Sequence, residues 1–78
     1  MADNVKIHVL DGSGRLEKEE ILHGVHTVED IRGRMGLQEG AYQFRINKDA
    51  ASGSSHMDSR DRVAFCPKGV SWPKNYLP

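Results

Sequence analysis

Lys6, His8, Arg45 and Arg62 are the side chains whose types and spacing could carry recognition chemistry in this chain. Each alternates with apolar residues that recur at every second position: Val5, Ile7 and Val9; Phe44 and Ile46; Val63 and Phe65. Period-two alternation sends successive side chains to opposite sides of a strand. If the three strands are neighbours, the four basic or ionisable residues share the side turned away from the apolar set. Such a stripe can steer and orient a protein partner with an acidic surface, although an ordinary solvated sheet face produces the same pattern. Trp72 is the other binding candidate, with Tyr76 and Leu77 close by and Pro67 and Pro73 bracketing the segment. An aromatic there can anchor a partner. It can equally fold back over its own sheet, which a small domain short of core favours, and that intramolecular reading is preferred.

Residues that could do covalent or metal chemistry have simpler readings. Cys66 is the only thiol. A nucleophilic cysteine needs a depressed pKa from a helix N-terminus or a neighbouring cation, whereas Cys66 falls in a strand, opposite Val63 and Phe65, as a small apolar residue. His23-Gly24-Val25-His26 offers two imidazoles, but not at a spacing that recurs in zinc sites, and reads as a solvated loop. Gly12-Ser13-Gly14 reads as a hairpin turn, since a phosphate cradle needs a helix directly after it. No base, nucleophile and oxyanion donor assemble. The expectation is a non-enzyme, with no catalytic, cofactor-binding or metal-ligating residues.

The elements that position these residues follow from the same patterning. Val5, Ile7 and Val9 mark a first strand. Asp11-Gly12-Ser13-Gly14 turns the chain into a second extended segment over residues 15–22. The charged run Glu17-Lys18-Glu19-Glu20 suits a sheet edge, where charge discourages pairing with another chain. Thr27-Val28-Glu29-Asp30 starts a helix: the threonine hydroxyl accepts an orphan N–H, an acidic side chain three residues on reaches back, and two carboxylates complement the dipole. Val28, Ile31 and Met35 form its apolar stripe, and Gly36 takes the left-handed cap. Gly33 inside it costs roughly 1 kcal/mol relative to alanine. Tyr42, Phe44 and Ile46 mark a third strand. Residues 47–60 are polar and without apolar period, predicting the longest and most mobile loop. Val63 and Phe65 mark the last strand.

Seventy-eight residues make one domain with a small core. Eleven basic and eleven acidic side chains cancel, so no overall field draws the chain to nucleic acid or a membrane. A single cysteine fits a reducing compartment, and Met1-Ala2-Asp3-Asn4 lacks a secretory pattern. No apolar run reaches the roughly 18 residues of a membrane helix. A cytoplasmic monomer is expected.

The order strand, strand, helix, strand, loop, strand describes an α+β β-grasp (ubiquitin-like) fold. It predicts a mixed sheet of four or five strands with one helix across one face, the first and last strands parallel at the centre, and the other face wet. The domain would span residues 1–78, with 68–78 a C-terminal tail. Thr27-Val28-Glu29-Asp30-Ile31, Met35-Gly36-Leu37, Phe44-Arg45-Ile46-Asn47 and Asp61-Arg62-Val63-Ala64-Phe65-Cys66-Pro67 occur in this order. Together they resemble the ubiquitin-like sulfur carriers, the family of the thiamine-biosynthesis carrier and the molybdopterin-synthase small subunit. In that family a C-terminal Gly-Gly is adenylated and converted to a thiocarboxylate. Here the last strand runs into Lys68-Gly69-Val70-Ser71-Trp72-Pro73-Lys74-Asn75-Tyr76-Leu77-Pro78, and a bulky Leu-Pro end does not fit a channel built for glycine. The resemblance therefore implies the fold without the transfer chemistry: a protein-interaction module. A carrier or modifier with an atypical C-terminus is one alternative. A small nucleic-acid binder using the basic face is another, disfavoured by zero net charge and the lack of an aromatic-interleaved basic cluster.

Overall fold

In the computed structural model, residues 2–47 and 49–73 are described. They form strands β1 (Val5–Leu10) and β2 (Leu16–Leu22), helix α1 (Val28–Met35), and strands β3 (Tyr42–Ile46), β4 (Asp49–Ala51) and β5 (Arg62–Pro67). The five strands make one mixed sheet in the order β2-β1-β5-β3-β4. The central pair is parallel, with Lys6, Ile7, His8 and Val9 opposite Arg62, Val63, Ala64 and Phe65. The remaining pairings are antiparallel. No helix among the described residues is long and apolar enough to cross a membrane.

Local chemistry sets each reversal. The Asp11 carboxylate accepts hydrogen bonds from the Ser13 N–H, the Ser13 hydroxyl and the Arg15 N–H, at 2.9, 2.6 and 3.0 Å. The Ser13 hydroxyl and these two backbone donors hold its pKa below the ordinary aspartate value. Gly14 completes the turn at φ 80°. At the helix start the Asp30 N–H donates to Thr27 Oγ1, while the Asp30 carboxylate accepts from the His26 N–H rather than from the cap residue itself. Gly36 closes the helix in the left-handed region at φ 69°.

The apolar stripe of α1 packs on one sheet face. Val28 and Ile31 join Val5, Ile7, Val9, Val63 and Phe65 in the core, with Met35, Tyr42, Phe44 and Ile46 packed against it. Phe65 meets Phe44 edge-on, ring centroids 5.1 Å apart, a favoured geometry for aromatic quadrupoles.

Three expectations need correction. Residues 47–60 are not a structureless loop. They contain β4, which adds to β3 at the sheet edge, and Met57, which is buried in the core. A three-residue strand and a single buried methionine are too short to show a period. The segment around Val25 is not wholly solvated either: Val25 is buried beside Ala2, and the two exchange backbone hydrogen bonds of 2.7 and 3.1 Å. Lastly, the second sheet face is not wet along its length, because Leu10, Ala64 and Cys66 are buried there.

Gly33 is exposed within α1, and a Cβ added there meets nothing within 4 Å. No close approach to the sheet requires glycine at this position. Gly33→Ala is expected to stabilise the fold by about 0.5–1 kcal/mol. Thermal denaturation followed by circular dichroism should show a midpoint raised by roughly 3–6 °C. An unchanged or lowered midpoint would refute this account of the helix.

Candidate functional site

The sheet register places Lys6, His8, Arg45 and Arg62 on the face away from α1. Lys6 lies directly opposite Arg62 across the parallel pair. His8, Ala64 and Arg45 form the next row across the sheet. The structure therefore brings the four together on one face, but it does not leave them equivalent.

His8 is largely covered, its side chain 12% exposed, and its Nε2 contacts the Glu19 carboxylate on β2. An acidic side chain thus enters the edge of the basic stripe. Arg45 lies over the Trp72 ring, its guanidinium carbon 4.6 Å from the centroid, a cation–π contact. Lys6 and Arg62 form no ion pair within 4 Å among the described residues. Two like charges side by side on adjacent strands repel weakly. This end of the face accordingly favours an anion from outside.

The other acidic residues are partly satisfied locally. Glu29 pairs with Arg32, whose guanidinium holds the Glu29 carboxyl below its usual range. Asp30 lies 3.8 Å from Arg34. Arg34 also donates to the carbonyls of His23 and Gly24 at 2.7 and 2.6 Å, tying the helix to the preceding loop.

Residues 68–73 explain the covered face. After β5 the Lys68 N–H donates to the Ala41 carbonyl, and the Val70 N–H turns back to that of Pro67. The Val70 carbonyl accepts from Gln43 Nε2 at 2.7 Å and faces Cys66 Sγ at 3.6 Å. Trp72 is half-buried against Arg45. A Cβ built on Gly14 would come within 3.6 Å of both Pro73 Cγ and the Ser71 carbonyl, so the segment reaches the β1–β2 turn. It forms a strap over the sheet and buries the only thiol. Tyr76 and Leu77, grouped with Trp72 on sequence grounds, lie outside the described residues.

Beside the strap an open cleft of about 510 Å³ lies along β3, with Tyr42, Gln43, Arg45, Ser52, Lys68 and Trp72 in its lining. It opens where β4 leaves β3: β4 pairs with Phe44, Arg45 and Ile46 but not with Tyr42 or Gln43. Sequence reasoning missed Lys68 and Ser52, because neither belongs to a periodic pattern and strand pairing alone brings them near Arg45. It also missed Leu16 and Ile21, exposed apolar residues on β2; Ile21 shares the basic face through its pairing with Lys6. Alternation within residues 15–22 was the available signal for Ile21.

Comparison of the chain with protein-family models, with curated proteins and with solved structures gave no significant match.

The strap's cover has a direct readout. In the native protein Cys66 should react with a thiol-specific chromogenic reagent far more slowly than in urea. Truncation after Pro67, or Trp72→Ala, should speed labelling and lower the thermal midpoint, by roughly 4–8 °C for each ~1 kcal/mol lost. Labelling at the unfolded rate in the intact native protein would show that the strap does not shield the thiol.

Proposed function

We propose that this chain is a non-catalytic β-grasp interaction module that recognises an acidic protein surface. The order β2-β1-β5-β3-β4, with a parallel central pair and one helix between β2 and β3, supports the β-grasp assignment. The observation that carries the function is the side-by-side placement of Lys6 and Arg62 without an ion-pair partner among the described residues, in the row next to Arg45. The resemblance to sulfur carriers extends to the scaffold and not to the transfer chemistry. The segment after β5 lies against its own sheet as far as Pro73, and the 78 residues contain no Gly-Gly pair.

Capture of partners by the intact protein, quantified by mass spectrometry, tests the reading. Specific partners should carry acidic surfaces, and their recovery should fall as salt rises, because exposed charges are screened over about 8–10 Å at physiological ionic strength. Charge reversal at Arg45 and Arg62 together should slow association while the fold is retained. Undiminished binding by that double variant would remove the basic face as the contact. A C-terminal mass shift of one oxygen replaced by sulfur, after incubation with a carrier-adenylating enzyme, ATP and a sulfur donor, would overturn the non-catalytic reading.

A further inference from the structure

The cleft along β3 differs chemically from the rest of the surface. Among the described residues its charged lining residues are Arg45 and Lys68, and no carboxylate lines it, although basic and acidic side chains are equal in number over the whole chain. Glu29 reaches the rim near Gly53, where its carboxylate would lie 3.6 Å from an added Cβ, but that carboxylate is bonded to Arg32. The Tyr42 and Ser52 hydroxyls and the Gln43 amide supply polar groups beside the two cations, and Trp72, Phe44 and Ala51 supply apolar surface. Its volume of about 510 Å³ falls within the usual range of ligand sites.

Shape adds to charge. Beyond Phe44 no strand pairs with the outer side of β3 among the described residues, so an extended backbone can lie beside Tyr42 and Gln43. An extended segment presents alternate side chains to opposite sides. One set would meet Arg45 and Lys68, the other the apolar wall.

We infer that the cleft between β3, β4 and the strap is the docking site for an extended, acidic peptide segment of a partner protein, with Arg45 and Lys68 receiving its carboxylates. Arg45 is already oriented by the Trp72 ring, so less side-chain freedom is lost when it engages a carboxylate. Lys68 is exposed and also lines the cleft, where it acts as a point charge. The inference rests on the interaction-module reading and adds a specific contact at the β3 edge to the Lys6–Arg62 end of the same face.

Trp72 is the only tryptophan and lines the cleft, so its emission reports occupancy. The full chain is titrated with a short acetylated peptide alternating glutamate and valine, while the amide shifts of Tyr42, Gln43 and Ser52 are followed by NMR. A saturable change confined to these residues and Trp72 is expected. It should weaken with salt and be lost when glutamine replaces glutamate. Lys68→Glu should weaken binding by about tenfold or more, since a like charge then faces the ligand; Lys68→Gln should do so by less. Lys18→Glu, on β2 at the opposite edge of the sheet, should leave it unchanged. No saturable change, an equal response to the glutamine peptide, or tighter binding of a short oligothymidylate would overturn the inference. So would Lys18→Glu proving as damaging as Lys68→Glu. A silent peptide titration alongside salt-sensitive partner capture overturns the cleft alone. Capture indifferent to charge overturns the broader reading instead.

Discussion

The parallel pairing of β1 with β5 is the constraint on which the rest of this structure depends. It sets four consecutive residues, Val63, Ala64, Phe65 and Cys66, in the middle of the sheet, all fully buried. Successive strand residues point to opposite faces, so a run of four buried residues needs cover on both. Helix α1 covers Val63 and Phe65, but the described residues contain no second helix for the other face. The strap of residues 68–73 supplies that cover, returning across the sheet directly after β5 and placing the Val70 carbonyl against Cys66 and Gln43. The proline that ends β5 and the glycine at position 69, in the left-handed region at φ 86°, make the reversal possible.

The strap also shapes the surface available for recognition. It brings Trp72 beneath Arg45 and sets Lys68 near the same cleft, so the group that completes the hydrophobic core of the second face also builds one wall of a basic cleft. Elsewhere, charges are balanced at short range: Glu29 with Arg32 and Asp30 with Arg34. Exposed pairs of this kind contribute little to stability. Their larger effect is on the pattern of charge that remains, with Lys6, Arg62 and Lys68 outside any ion pair among the described residues. A neutral protein can therefore present a locally positive surface.

Polar side chains at the reversals hold the register that this arrangement needs. Asn47, in the left-handed region at φ 48°, accepts from the Arg62 N–H at 2.9 Å and donates to Asp61 at 2.8 Å. It thereby links the end of β3 to the start of β5. Ser59 and Arg60 bond Asp3 on the other side, tying the entry to β5 to the entry to β1. A one-residue slip would send Val63 and Phe65 to the strap side and Ala64 and Cys66 under the helix, so these few hydrogen bonds protect the identity of both faces.

The sequence by itself determined the elements whose residues repeat with a regular period or end on a diagnostic cap. The alternation of Val5, Ile7 and Val9, the Thr27 cap with its Asp30 partner, the Gly36 exit and the alternation of Tyr42, Phe44 and Ile46 are local signals, and each became the expected strand or helix. Strand parity also made it legible that Lys6, His8, Arg45 and Arg62 share a face. Only the tertiary structure decided which of them face outward alone, because Glu19 reaches His8 across a strand pairing and Trp72 reaches Arg45 from 27 residues further along the chain. The burial of Met57, Val25 and Ala2 was decided the same way. None of the three belongs to an alternating or helical stripe that would announce it, and each becomes core only when distant segments close over it. The cleft belongs to this second class: Ser52, Lys68 and Arg45 come from three separate stretches of chain, and no spacing in the sequence encodes their meeting.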